Sequence, residues 1–416
     1  MTGYAGFAAP LQANTPLGDP WLDGRPRLCS EPLCVPRTRA AELAAAAAGI
    51  AAVHDELAQL ATAEPELLDS FFGLTPWQRA MWQCSAPDWH GIARADVFCT
   101  AAGAQVCELN SDTPSGAAEA VLLSAAAAAA NPGHHDPNAG LPRRFCRLVA
   151  DAAARCGHHG ALTVGIVYPT ELTEDLSMVA VYRDWLVAAG HRVVLGSPFN
   201  LGRCHDGRAT VLDTPCEVIV RHYKTDWFGE RLPVADDDPP CEDQEPLAGP
   251  LLALLQAAVL RRTAVINPFG AVLTQNKRAM AFCWEAIDRF SPPAQAAIRR
   301  WLPYTTRLEL VRDELWQQRS LWVLKSDYGC EGDEVILGPK VDQATWEAAL
   351  SRLIVRRWVA QRWFEALPEA DGDLVNHGVY LVAGAPAGML LRRHGPGATD
   401  VHARIAPALV TTEDLP

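Results

Sequence analysis

What this sequence lacks narrows its function before any motif is read. No apolar run approaches the roughly 18 residues of a membrane span. The run "LAAAAAGIAAV" is alanine flanked by Arg39, Glu42 and Glu56, and reads as a helix. The opening "MTGYAGFAAPLQANTPLGDP" has neither a basic n-region nor an apolar core, so a cytoplasmic location is expected. Excess positive charge is missing too: a formal net charge of −13 argues against a nucleic-acid backbone as partner and leaves room only for a local basic pocket. Twelve cysteines are present without paired spacing. Cys29 and Cys34 have no matching second pair, and Cys99, Cys107, Cys146 and Cys283 fall in apolar elements, so buried thiols are expected rather than a disulfide framework. His134-His135 and His158-His159 lie in Gly-flanked turns and read as surface loops, not zinc ligands.

At 416 residues, 49% hydrophobic and 20% charged, the chain is long enough for two or three domains. No internal repeat is visible. Residues 39 to 73 read as helical, and "SGAAEAVLLSAAAAAANPG" as a second helix capped by Ser115 and stopped by Asn-Pro-Gly. "ALTVGIVYP", "DLSMVAVYRDWLVAAG" and "HRVVLGSP" make one βαβ unit. "ATVLDTPCEVIVRHYKTDWF" reads as a further strand pair, and the acidic, proline-rich 234 to 250 as a loop or linker.

The stretch "ELNSDTPSG" carries the first chemical signal. Glu108, Asn110 and Asp112 alternate, and alternate residues of an extended segment share a face. The preceding "IARADVFCTAAGAQVCELN" reads as a hairpin around Ala101-Ala102-Gly103. In that register Thr100 pairs with Ala104, Asp96 faces Glu108 and Arg94 faces Asn110. Opposed carboxylates approach to roughly 5 Å between Cβ atoms and repel. Either the pair is simply solvated, or a hard cation held by oxygen ligands, Mg²⁺ being the natural candidate, reverses the sign.

The second half supplies cations. Lys277 opens a helix in "TAVINPFGAVLTQNKRAMAFCWEAI", and Lys325 ends the first strand of the hairpin "SLWVLKSDYGCEGDEVILG", whose tip holds Gly329 and Gly332. Such a tip can close backbone N–H groups over phosphates, or it can be an ordinary hairpin. "VNHGVYLVAGAPAGMLLRRHG" is a strand pair that delivers Arg392 and Arg393 to one end.

Together these features resemble the glutathionylspermidine synthase family of ATP-grasp ligases from about residue 76 onward. The family's Arg-x-Asp, hairpin, Glu-x-Asn and Asp-Thr-Pro-Thr segments are similar to Arg94, Asp96, Glu108, Asn110 and "SDTPSG". "QNK", "VLKSDYGCEG", "AQRWFEALP" and "AGMLLRR" resemble later family segments, with Arg392 rather than Arg393 on the family arginine. Cys330 stands where the family usually has Arg. "RHYKTDW" keeps only Tyr223, Asp226 and Trp227 of Lys-Leu-Tyr-Pro-Trp-Glu-Trp. The 75 residues before the match are too few for the hydrolytic amidase domain of some members, so glutathione and spermidine are not carried over.

The resemblance implies an α/β (α+β) chain with a circularly permuted ATP-grasp fold, a small βαβ pre-ATP-grasp domain and a helical N-terminal region. The implied divisions are 1–75 helical extension, 76–160 metal-ligand hairpin and helices of the ATP-grasp core, 161–233 pre-ATP-grasp domain, 234–250 linker and 251–416 ATP-binding lobes. It implies a ligase that joins a small-molecule or peptide carboxylate to an amine through an acyl phosphate, releasing ADP and phosphate. ATP and Mg²⁺ are the implied cofactors. Asp96, Glu108 and Asn110 would hold the metal, and Lys277, Lys325, Gly329 and Gly332 the phosphates. Gln361 would lie near the adenine, and Arg94 and Arg392 would neutralise the transferring group. A phosphotransferase and an inactive nucleotide-binding adaptor are the alternatives.

Overall fold

Small apolar residues alternate with Arg94 and Asp96 along Ile92–Thr100, and this strand pairs with Gly103–Asn110 as the sequence predicts. The computed structural model describes residues 2–170, 175–238, 247–329 and 334–411. The hairpin is two strands of a five-stranded antiparallel sheet completed by Leu374–Val382, Ala385–His394 and Arg404–Ala406. Ala93, Ala95 and Val97 on one face pack into a core with Leu43, Ala46, Ile50, Val53 and Leu57 of the helix Arg37–Ala63. These spacings of three and four put the helix residues on one stripe. The expected run of 39 to 73 is interrupted: Pro65, which disfavours helical backbone before it, follows the end of this helix, and Leu67–Ser70 is a separate turn. With its helix face covered, the sheet presents Arg94, Asp96, Glu108 and Asn110 to the opposite side.

The βαβ unit forms as predicted. Thr163–Val167 and Arg192–Gly196 are parallel neighbours joined through the helix Leu176–Ala188. Val218–Arg221 and then Ala264–Ile266 extend this four-stranded sheet. Two expectations change here. Ala209–Val211 and Val218–Arg221 are not a pair, because the first belongs to a separate three-stranded sheet. The division at residue 250 does not follow the sheets either, since Ala264–Ile266 hydrogen-bonds beside Val218–Arg221.

A third sheet, antiparallel, orders Thr305–Arg307, Trp358–Arg362, Trp322–Ser326 and Val335–Leu337. One face is closed by a core of its own, in which Trp322, Leu324, Trp358 and Ala360 meet Leu308, Leu315, Trp346 and Leu350. Alternation then turns Val323, Lys325 and Gln361 the other way, toward the hairpin. No disulfide joins the ten cysteines among the described residues; Cys29, Cys99, Cys107, Cys216 and Cys283 are buried, whereas Cys146 is half-buried and Cys34 exposed. His134-His135 forms a short strand beside Ala408–Thr411 rather than a loop.

Candidate active site

The hairpin reaches its predicted pairing by an unpredicted route. The turn has two residues, Ala101 and Ala102, so Thr100 faces Gly103 rather than Ala104. A β-bulge at Cys107 then restores the register, placing Asp96 opposite Glu108 and Arg94 opposite Asn110. The bulged residue's carbonyl accepts from Lys325 Nζ at 3.0 Å and from Gln361 Nε2 at 3.5 Å. It therefore ties the hairpin to the third sheet.

Asp96, 1% exposed, does not face Glu108 as a bare carboxylate. Arg94 donates to it through Nε at 2.8 Å and Nη2 at 3.3 Å, Arg392 through Nη2 at 2.5 Å, and Asn110 through Nδ2 at 3.2 Å. Burial alone would raise its pKa, but Arg392 and Arg94 together hold it well below the usual carboxylate range. The repulsion expected between the two carboxylates is thus offset by guanidinium groups. Arg94 is fixed further by the Ser115 carbonyl at 2.9 Å. Its stem crosses Gly378, where a Cβ would come within 2.7 Å of Arg94 Cδ.

Glu108 accepts from Asn110 Nδ2 at 3.2 Å and lies 3.7 Å from Lys277 Nζ, which donates to the Gly329 carbonyl at 2.6 Å. The Asn110 amide oxygen has no protein partner among the described residues. Asp96, Glu108 and Asn110 offer oxygen only, the donor type Mg²⁺ takes, and it is usually held by one or two carboxylates with substrate phosphates. No group of three His, Cys, Asp or Glu side chains suited to a metal gathers among the described residues. The residues therefore fit a cation whose shell substrate oxygens complete.

These groups line one cavity of about 450 Å³. Lys325, Gln361, Val323, Leu337 and Trp363 line it together with Asp96, Glu108, Asn110, Arg94 and Arg392. Thr113, Ser115, Asp175, His222, Lys224 and Gln275 line it as well. Gln361, 2% exposed, also donates to Thr305 Oγ1 at 3.0 Å. Arg393 pairs instead with Asp371 and Asp373. Gly329 lines a neighbouring cavity of about 220 Å³, while Gly332 and Cys330 lie outside the described residues.

Two expectations from "ELNSDTPSG" are corrected. Asp112 does not share the face of Glu108 and Asn110: the strand ends at Asn110, and Asp112 turns inward to Arg221 Nη2 at 2.5 Å and to Thr225 N–H at 2.6 Å. Ser115 does not cap the following helix. Gly116, at φ +85°, occupies the cap, and the Ser115 carbonyl accepts from Arg94 and from Tyr380 Oη.

Lys224, Lys340, His222 and Asp175 also line the cavity and carry no role in the sequence reading. Composition held a signal for two of them. Only Lys224, Lys277, Lys325 and Lys340 are lysines among 36 Lys and Arg residues; three line this cavity and the other approaches Glu108. Arginine serves almost everywhere else, and a compact, flexibly held ammonium is kept here.

The profile described as glutathionylspermidine synthase preATP-grasp matches residues 35–411. The chain belongs to the glutathionylspermidine synthase family. Among solved structures it is similar to a glutathione synthetase-like effector from Globodera pallida in its apoform, at 10% identity and a TM-score of 0.60, covering 93% of this chain and 92% of that one. It is also similar to a candidate gamma-glutamylcysteine synthetase from Methylobacillus flagellatus KT, at 14% identity and a TM-score of 0.51, covering 91% and 90%. No functionally curated protein matches. The fold is that of ATP-grasp synthetases in circularly permuted order, the carboxylate hairpin preceding Lys277 and Lys325 in the chain. No helix among the described residues is long and apolar enough to cross a membrane.

Proposed function

We propose that this member of the family is an ATP-dependent ligase that joins a carboxylate to an amine through an acyl phosphate, releasing ADP and phosphate. One observation carries it: Arg94, Arg392 and Lys325 converge with Asp96, Glu108 and Asn110 on a single cavity, with Lys277 at its edge. A carboxylate and a γ-phosphate are both anionic, so their approach requires cationic groups before any protein nucleophile. Lys277 and Lys325 bind ATP phosphates, and Gln361 lies near the adenine. Arg94 and Arg392 neutralise the transferring phosphoryl group. Mg²⁺ held by Asp96, Glu108 and Asn110 supplies neutralisation of phosphate oxygens when bound.

The acid and the amine are small molecules or peptides. The family's glutathione and spermidine are not assumed, because His222 and Lys224 stand where the resembled segment carries Leu and Pro. The test is ADP release by purified protein with MgATP and pooled carboxylates, with and without hydroxylamine. A ligase forms a hydroxamate of its true acid. Release of AMP and pyrophosphate would favour adenylation instead, and no release would favour an inactive adaptor.

A further inference from the structure

Phosphorylating a carboxylate needs cations, but capture of the product by an amine needs a base. An alkyl amine resembles a lysine side chain, protonated up to about 10.4, and only its neutral form has a lone pair to give. None of the groups given a role above is an imidazole, the side chain most used as a general base.

His222 is one. It follows the strand Val218–Arg221, and its N–H donates to the Val167 carbonyl at 2.7 Å. That fixes it at the C-terminal ends of two parallel strands, where sheets of this kind bind ligands. His222 Nε2 lies 3.1 Å from Asp175 Oδ2, at the start of the helix Leu176–Ala188. Its Nδ1 has no hydrogen-bond partner among the described residues. Both side chains line the cavity that holds Arg94 and Arg392. Thr113 and Pro114 connect the two regions: they line the cavity beside Ser115, whose carbonyl holds Arg94, and also a small void shared with His222. Among the described residues, the other titratable groups around His222 are Asp112, Arg221 and Tyr182 in that void and Lys224 in the cavity. Asp112 and Arg221 pair with one another at 2.5 Å, which leaves Asp175 as the carboxylate beside the imidazole among the described residues.

Within the ligase reading, on which this rests, we infer that His222 is the base for amide formation and Asp175 the positioning residue that stabilises its imidazolium. His222 takes one proton from the substrate ammonium. The freed lone pair forms the C–N bond at the acyl-phosphate carbon, and the carbon–oxygen bond to the phosphoryl group breaks. That electron pair leaves with phosphate, which gains the second N–H proton as hydrogen phosphate, and the imidazolium returns its proton to solvent.

Hydroxylamine separates the two halves, because it is already neutral at pH 7 and needs no base. Wild-type protein, His222→Gln and Asp175→Asn are assayed with MgATP and glutamate or γ-glutamyl peptides as acids, using either hydroxylamine or an alkyl amine (glycine or 1,3-diaminopropane). His222→Gln is expected to lower alkyl-amide formation about a hundredfold and hydroxamate formation at least tenfold less than that. Its deficit narrows as pH rises from about 7 to about 9, where more of the amine is neutral. Asp175→Asn shows a smaller loss confined to the alkyl amine and a displaced pH profile. Equal, pH-independent losses with both amines would overturn the assignment and make His222 structural. Wild-type protein that yields no hydroxamate with any acid would overturn the ligase reading itself, and the wild-type arm alone decides that.

Discussion

Arg392 Nη2 lies 2.5 Å from Asp96 Oδ2 and joins positions 296 residues apart in sequence. Arg94 grips the same carboxylate from its own strand. Asp96 is therefore both an oxygen donor facing the cavity and the anchor of two guanidinium groups, Arg94 buried and Arg392 half-buried, which separates it from Glu108, 27% exposed and only 3.7 Å from Lys277.

This difference predicts unlike phenotypes for two similar changes. Asp96→Asn removes the charge that balances two guanidinium groups, and breaking a buried pair costs about 3 kcal/mol. It should lower unfolding stability by that order and abolish turnover. Glu108→Gln should abolish turnover with stability within about 0.5 kcal/mol of wild type. Denaturant unfolding and ADP release check both, and equal stability losses would contradict the separation. The pH sign follows from the direction: Asp96 contributes stability above its unfolded value of about 3.9, lost as pH falls through its lower folded value.

Lys325 and Lys277 should act on nucleotide affinity. Both are at most 7% exposed, and each holds a backbone carbonyl, of Cys107 and Gly329 respectively. Lys325→Ala and Lys277→Ala are each expected to weaken ATP binding at least tenfold, about 1.4 kcal/mol, by calorimetric titration. Unchanged affinity would show that the carbonyl contacts are their whole purpose.

Much of this site was legible because its chemistry needs particular residue types at strand spacing. Arg94, Asp96, Glu108 and Asn110 could be paired from sequence. The pairing held because a shorter turn and a bulge at Cys107 offset one another, and no residue type at Cys107 announces a bulge. Asp112 escapes the alternation of Glu108 and Asn110 because the strand stops at Asn110. His222 and Asp175 stayed invisible because 47 residues, and the fold of a parallel sheet, separate them in the chain.

Burial also predicts an acid sensitivity away from the site. His377 sits on the helix-facing side of its strand; burial lowers its pKa to about 4, and Nδ1 has no partner among the described residues. A histidine neutral when native but free to protonate near 6.5 when unfolded takes up a proton on unfolding. Its stabilisation is therefore complete above about 6.5 and is lost as pH falls toward 4, by about 3 kcal/mol in all. His377→Leu should flatten the fall in unfolding free energy across that interval. An unaltered slope would show that other groups, buried His54 among them, carry it.

The two arginines should matter to the transition state more than to ground-state binding, because charge concentrates where phosphate and carboxylate oxygens meet. They differ in how firmly they are held. Arg94 is 6% exposed and bonded to Asp96 and Ser115, whereas among the described residues Arg392 has Asp96 as its hydrogen-bonded partner and a buried Nε with none. Arg392→Ala and Arg94→Ala are each expected to lower kcat at least a hundredfold, about 3 kcal/mol, with ATP affinity changed less than threefold. Arg94→Ala should also reduce stability, since it strips Asp96 and Ser115 of a partner, and Arg392→Ala less so. Because the Arg392 guanidinium is tied at one point and faces the cavity, free guanidinium ion should restore part of the activity of Arg392→Ala and little of Arg94→Ala. Steady-state kinetics with and without guanidinium separate these cases. Loss confined to ATP affinity, with kcat intact, would remove both arginines from the chemical step.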